Sequence, residues 1–259
     1  MFEIMSYTEN SDIEKEITCD SFFNGLLKIK QYKNGYRFSI DSVILATETK
    51  LEKNDKYIMD LGCGCGVISL ICAFLYDNIK IWGVEIQNDL AKIANINVIQ
   101  NNFQNQITIL NQDFKELKAN QMGKLFDIVI CNPPFYKKNS GRINPDNEKA
   151  IARHEIYANL DDIIKVARRM LRNFGRLIII YPSTNLVDLF IKMRNYNIEP
   201  KILKIIFPEK QNIAKLVIVE GVKSKKPELN ILKPLIIYKS VSSYTDNILK
   251  IINNRQIAL

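Results

Sequence analysis

Apolar residues along this chain fall into two rhythms, short unbroken runs and helical stripes. Tyr57 to Leu61 is a short apolar run ending in a glycine loop, which predicts a buried strand. Val67 to Tyr76 is apolar almost all round and predicts a well-covered helix. Ile79 to Glu85 reads as the next strand, and Leu90, Ile93, Ala94 and Val98 then recur at helical spacing. Ile107 to Leu110 and Phe126 to Cys131 follow as third and fourth strands. The fourth lacks polar alternation, as expected of a strand covered on both faces. Leu160, Ile163, Ile164, Ala167 and Leu171 trace one helical stripe, with Asp161 and Asp162 near its positive amino-terminal end. Leu177 to Tyr181 is a fifth strand, and Leu186, Leu189, Phe190 and Met193 mark another helix.

The rhythm then changes. Lys201 to Phe207 and Lys215 to Val222 are strand-like runs separated only by Pro208 to Ala214, too short for a crossover helix, so the pair must be antiparallel. Five β–α alternations and a hairpin predict an α/β, doubly wound, mostly parallel seven-stranded sheet of Rossmann-like type with one antiparallel strand. An N-terminal cap segment (1–50), a central domain (51–222) and a basic tail (223–259) with one more apolar run, Leu235 to Tyr238, complete the expected organisation.

Composition narrows the class. Of 259 residues, 47% are hydrophobic and 25% charged, ordinary for a globular protein, and no apolar run reaches the ~18–20 residues that span a bilayer. With no basic-then-apolar leader at Met1 to Glu16, a cytoplasmic protein without membrane contact is expected. Five cysteines, Cys19, Cys63, Cys65, Cys72 and Cys131, are too few for a disulfide scaffold, and none has the neighbours of a zinc site. Free thiols and no metal are expected. The net charge of +8 favours a polyanionic partner.

Asp60-Leu61-Gly62-Cys63-Gly64-Cys65-Gly66 sits where the first strand passes to the first helix. A dinucleotide fold wants G-x-G-x-x-G. This loop is G-x-G-x-G led by an acid, which suits a ligand with an amino-acid end and no phosphates; its ammonium could pair with Asp60 or with loop carbonyls. Glu85 ends the second strand, about 20 residues on, where an acid accepts ribose hydroxyls. Past the third strand, Asp113 could accept from an adenine amine and Phe114 cover the ring; alternatively Asp113 only caps the following helix.

Asn132-Pro133-Pro134-Phe135 follows the fourth strand. The two prolines fix the turn and remove two backbone donors, so the Pro133 carbonyl can face a ligand unpaired. With the Asn132 oxygen it makes two acceptors for one –NH2, orienting the nitrogen lone pair toward a methyl donor. Phe135 would stack on a planar substrate.

This tetrad resembles the fourth motif, (Asn/Asp/Ser)-Pro-Pro-(Tyr/Phe/Trp), of the amino-methyltransferases, which act on adenine N6, cytosine N4, guanine N2 or a glutamine amide. Gly35-Tyr36-Arg37-Phe38-Ser39-Ile40-Asp41-Ser42-Val43 with Leu45 resembles the G-x-R-F-x-x-D-x-x-L-L segment of the bacterial tRNA(Val) adenine N6-methyltransferase family. Ala152-Arg153-His154-Glu155 resembles its A-R-H-E stretch, and Lys233 to Tyr238 with Tyr244-Thr245 its P-L-I-x-Y…Y-T ending. The resemblance implies an enzyme that uses S-adenosyl-L-methionine to methylate adenosine N6 beside the anticodon of valine tRNA; a monomer is expected. It makes Asn132, Pro133, Pro134 and Phe135 catalytic, and Asp60, Gly62, Gly64, Gly66, Glu85, Asp113, Phe114 and Phe38 cofactor-binding. Rival readings are a glutamine-amide methyltransferase, a methyltransferase of another RNA, and an RNA-binding protein that retains the fold.

Lys137, Lys138 and Arg142, in the polar stretch after the tetrad, are candidate phosphate contacts, with Arg37 as a further RNA candidate. Lys165, Arg168, Arg169 and Arg172 form a helical stripe expected to be a solvated face. Lone His154 is expected to support the loop rather than act as a base.

Overall fold

The computed structural model describes residues 16–34, 37–134, 159–240 and 243–253. Two strands, β1 (Ile17–Phe22) and β2 (Leu27–Tyr32), form an antiparallel hairpin ahead of helix α1 (Ile40–Glu48). The hairpin was not foreseen. Its signal lay in Asn24-Gly25, at the turn, and in Leu27 and Ile29 alternating with Lys28 and Lys30.

The expected alternation follows: β3 (Tyr57–Leu61), α2 (Val67–Leu75), β4 (Lys80–Glu85), α3 (Asn88–Gln100), β5 (Ile107–Asn111), short α4 (Ala119–Met122) and β6 (Phe126–Cys131). After these come α5 (Leu160–Met170), β7 (Leu171–Pro182), α6 (Leu186–Asn195), β8 (Ile198–Glu209) and β9 (Leu216–Lys223). Leu171, counted above with the helical stripe, instead opens β7, though it is fully buried.

The sheet runs β5-β4-β3-β6-β7-β9-β8, and β9 is antiparallel to both neighbours. This is the expected doubly wound sheet with one reversed strand. Beyond β8 the sheet continues through β11 (Leu235–Ser240), parallel to β8, and β12 (Ser243–Tyr244), while β10 (Asn230–Ile231) also pairs with β8. Helix α7 (Asp246–Asn253) packs on α1 and β11, and the Ile252 carbonyl accepts from the Phe23 N–H, tying the tail to the hairpin.

Two buried apolar clusters, one on each face of the sheet, form the core. Ile58, Ile128 and Ile130 point into one; Met59, Val129 and Cys131 into the other. Strands buried on both faces need no polar alternation, which is why β3 and β6 match their sequence bounds.

Buried charge collects at the amino edge of the sheet. Asp127 accepts from the Lys56 and Tyr57 N–H groups at 2.8 Å each and from Arg172, and Arg176 pairs with Asp55 and Glu220. Arg172 is therefore not simply solvated, and Arg169 donates to the Lys115 carbonyl at 2.9 Å. Those two members of the basic stripe are structural ties, contrary to the sequence expectation: Arg172 belongs to β7 rather than to the helix, and Arg169 reaches the 3-10 turn that follows β5.

Candidate active site

The carboxyl edge of the sheet is built differently. There β3, β4, β5 and β6 end around an open cleft.

The glycine loop forms one wall. Gly62, Gly64 and Gly66 have φ of 70°, 58° and 85°, so the loop turns through left-handed conformations that side chains resist. Gly62 and Gly64 line the cleft and present bare backbone to it. Gly66 instead caps α2, where an added Cβ would meet that of Ala94 at 3.4 Å.

Glu85 supports the loop from β4. Its Oε2 accepts from the Gly64 N–H and its Oε1 from the Gln87 N–H, both at 2.9 Å. Burial raises its carboxyl above the ordinary range, against the lowering pull of those backbone donors. A carboxylate offers about four acceptor positions, so Glu85 keeps capacity for a ligand hydroxyl beside these backbone donors. Asp60 lies beneath the loop and does not line the cleft. Its Oδ2 accepts from Ser69 Oγ at 2.7 Å, while Oδ1 is buried with no hydrogen-bond partner. Burial pushes its carboxyl up to about 7, with the Ser69 hydrogen bond opposing and the Glu85 charge adding.

Asp113 and Phe114 line the far end of the cleft. The Asp113 carboxylate does cap the following 3-10 turn, accepting from the Lys115 N–H at 2.9 Å. Capping and a cleft-facing position coexist. Phe38 lies outside this group: it packs on the apolar core and against Phe22, with ring centroids 5.8 Å apart. The Arg37 guanidinium is taken up by the hairpin, bonding Thr18 Oγ1 at 2.6 Å and Asp20 at 3.3 Å.

Cys131, Asn132, Pro133 and Pro134 line the opposite wall. The Asn132 Nδ2 donates to Ser42 Oγ of α1 at 2.7 Å. Among the described residues none donates to the Asn132 Oδ1 or to the Pro133 carbonyl. Burial holds the Cys131 thiol well above its usual range, with the Asp60 charge adding, so it is no nucleophile at neutral pH. Phe135, Lys137, Lys138, Arg142 and His154 lie outside the described residues. Ile86, Gln87, Leu90 and Ile163 also line the cleft and were missed; the first two follow Glu85 directly, which was the available signal.

The structure thus gathers Gly62, Gly64, Glu85, Asp113, Phe114, Asn132, Pro133 and Pro134 around one cleft, from segments 62–134 of the chain. No group of three or more His, Cys, Asp or Glu able to hold a metal occurs among the described residues. The described helices include none long and apolar enough to cross a membrane.

The sheet order and the glycine-loop cleft at its carboxyl edge define the methyltransferase class of α/β folds. A family model described as methyltransferase small domain matches residues 37–194. The chain is 30% identical over 186 residues to the tRNA1(Val) (adenine(37)-N6)-methyltransferase of Aliivibrio salmonicida, covering 71% of this chain and 76% of that protein. It is also 30% identical over 167 residues to the protein of the same description from Porphyromonas gingivalis, covering 62% and 65%. Among solved structures, a predicted O-methyltransferase from Agrobacterium tumefaciens shares the fold at TM-score 0.65 and 20% identity, covering 84% of this chain and 97% of that one. The Pyrococcus horikoshii protein TYW2, in complex with MeSAdo, shares it at TM-score 0.55 and 16% identity, covering 81% and 72%. This chain belongs to the tRNA1(Val) (adenine(37)-N6)-methyltransferase family, built on the methyltransferase small domain.

Proposed function

We propose that this protein transfers a methyl group from S-adenosyl-L-methionine to the N6 amine of adenosine 37 in valine tRNA. The observation that carries this reading is that Asn132 and Pro133 line the same cleft as Glu85 and the glycine loop.

The residues fit the cofactor. Bare backbone at Gly62 and Gly64 leaves room for an amino-acid end, Glu85 has lone pairs for ribose hydroxyls, and Asp113 and Phe114 supply an acceptor and a ring for adenine. Asp60 lies beneath the loop rather than on the cleft, and its carboxyl would act on a ligand ammonium there through its charge. When bound, the cofactor supplies an electrophilic methyl on a sulfonium.

The chain's own residues prepare the amine. An exocyclic amine conjugated to a purine donates its lone pair to the ring and is a poor nucleophile. The Asn132 oxygen and the Pro133 carbonyl each take one N–H, favouring the tetrahedral form whose lone pair is localised. That interaction strengthens as positive charge develops on nitrogen, so it lowers the barrier rather than merely binding the substrate. Phe135 stacks on the extruded base, and Lys137, Lys138 and Arg142 contact phosphates. A loop base costs less to extrude than a paired one. On this reading the enzyme works as a cytosolic monomer without a metal, since an amine attacking a sulfonium methyl needs no Lewis acid.

The test incubates the protein with methyl-labelled cofactor and either total tRNA or release factor. The expected result is label in tRNA that digests to N6-methyladenosine, lost in Asn132→Ala while cofactor affinity stays nearly unchanged. Label confined to protein, or a large loss of cofactor binding in Asn132→Ala, contradicts the reading.

A further inference from the structure

Ser42 is a polar residue on the buried face of α1, 4% exposed and far in sequence from the tetrad. Its neighbours Val43, Ile44 and Leu45 belong to the apolar core, and α1 packs against α2 and β7. A buried hydroxyl needs a partner, and the one Ser42 has is Asn132: its Oγ accepts from Nδ2 at 2.7 Å.

That bond decides which end of the amide faces the cleft. A carboxamide has nearly the same shape either way round, so packing alone does not tell its oxygen from its nitrogen. The chemistry of the two orientations is opposite. With the oxygen inward, Asn132 accepts a hydrogen bond from an N–H of the –NH2; with the nitrogen inward, two N–H groups oppose each other. In the structure Asn132 Nδ2 is the donor and Ser42 Oγ the acceptor, so the amide nitrogen points to α1 and the oxygen away from it.

We infer that Ser42 is a positioning residue for methyl transfer, holding the Asn132 –NH2 so that Oδ1 faces the target amine. The inference rests on the proposed use of Asn132 to bind an amine, but not on which RNA carries that amine. It also gives the segment 37–48 a task that its sequence does not display: α1 carries the acceptor that sets the catalytic asparagine.

In Ser42→Ala the productive orientation leaves a buried N–H unpaired, so the amide turns its nitrogen to the cleft. We expect kcat to fall roughly tenfold to a hundredfold. KM for tRNA and cofactor affinity stay close to wild type, and Ser42→Thr, which keeps the hydroxyl, recovers most of kcat. The discriminating background is Asn132→Asp, where both oxygens accept and no orientation has to be chosen. There Ser42→Ala should change kcat by less than about threefold. A packing role would lower both backgrounds equally, and that result overturns the inference, as does an unchanged kcat in Ser42→Ala itself.

A second readout needs no substrate. In 15N-labelled protein the Asn132 side-chain amide should keep one proton that exchanges slowly in wild type and Ser42→Thr, and fast in Ser42→Ala. Equal exchange in all three overturns the inference even if tRNA is methylated. Slow exchange in a protein that methylates no tRNA upholds the Ser42–Asn132 coupling and overturns only the substrate.

Discussion

Asp60 is 1% exposed and gives only one of its carboxylate oxygens a partner. Its carboxyl, raised by burial to about 7, holds its proton in the folded chain across a range where the unfolded chain has lost it. The folded state then binds more protons than the unfolded one between pH ~4 and 7. Stability from this group is therefore full below the unfolded value and lost as pH rises through about 7. A ligand ammonium favours the ionised form instead. Cofactor affinity measured calorimetrically should therefore rise severalfold from pH 6 to about pH 7.5, below the range where an α-amino group loses its proton, and Asp60→Asn should flatten that difference. A wild-type profile identical to that of Asp60→Asn would show that Asp60 takes no part in binding. At this scale the sequence was legible where chemistry sits in a contiguous motif, as in the glycine loop and the tetrad. It was silent on Ser42, whose role depends on a contact made only when α1 packs beside the end of β6.

Helix α3 shows the same limit one level up. Its stripe of Leu90, Ile93, Ala94 and Val98 was readable, yet the most informative residue on that face is polar. Asn97 is fully buried, accepts from the Lys30 N–H at 2.7 Å, and donates to the Lys30 carbonyl at 2.8 Å and the Cys65 carbonyl at 2.9 Å. One side chain thus joins hairpin, helix and glycine loop. Asn97→Ala leaves three backbone groups without that partner and should cost about 2–4 kcal/mol in denaturant unfolding. It should also weaken cofactor binding through the loosened loop, whereas a stability loss below about 1 kcal/mol would show that water replaces the bonds. An asparagine inside an apolar stripe was the available signal. The strands β3 to β6 were legible because burial on both faces makes them uniformly apolar, whereas β1 has no such run: its residues alternate between exposed and half-buried positions.

Across the whole molecule, charge and topology divide the labour between the two sheet edges. At the amino edge Arg172 and Arg176 are consumed by Asp127, Asp55 and Glu220, and Lys223 is buried against the Leu171 carbonyl. The carboxyl edge carries the cleft. The order of strands was legible from the β–α alternation and the short hairpin gap. The extension by β11 and β12 was not, because one apolar run in a tail does not say which strand it joins.

The central claim is a methyl on one amine of one nucleotide, and mapping it is the most direct test. Valine tRNA transcripts carrying A37 or G37 are incubated with enzyme and cofactor, and the modified nucleoside is located by digestion and mass spectrometry. The account predicts a single N6-methyladenosine at position 37 of the A37 transcript and none in the G37 transcript. Equal methylation of both transcripts, or methyl found on any other atom, would contradict it.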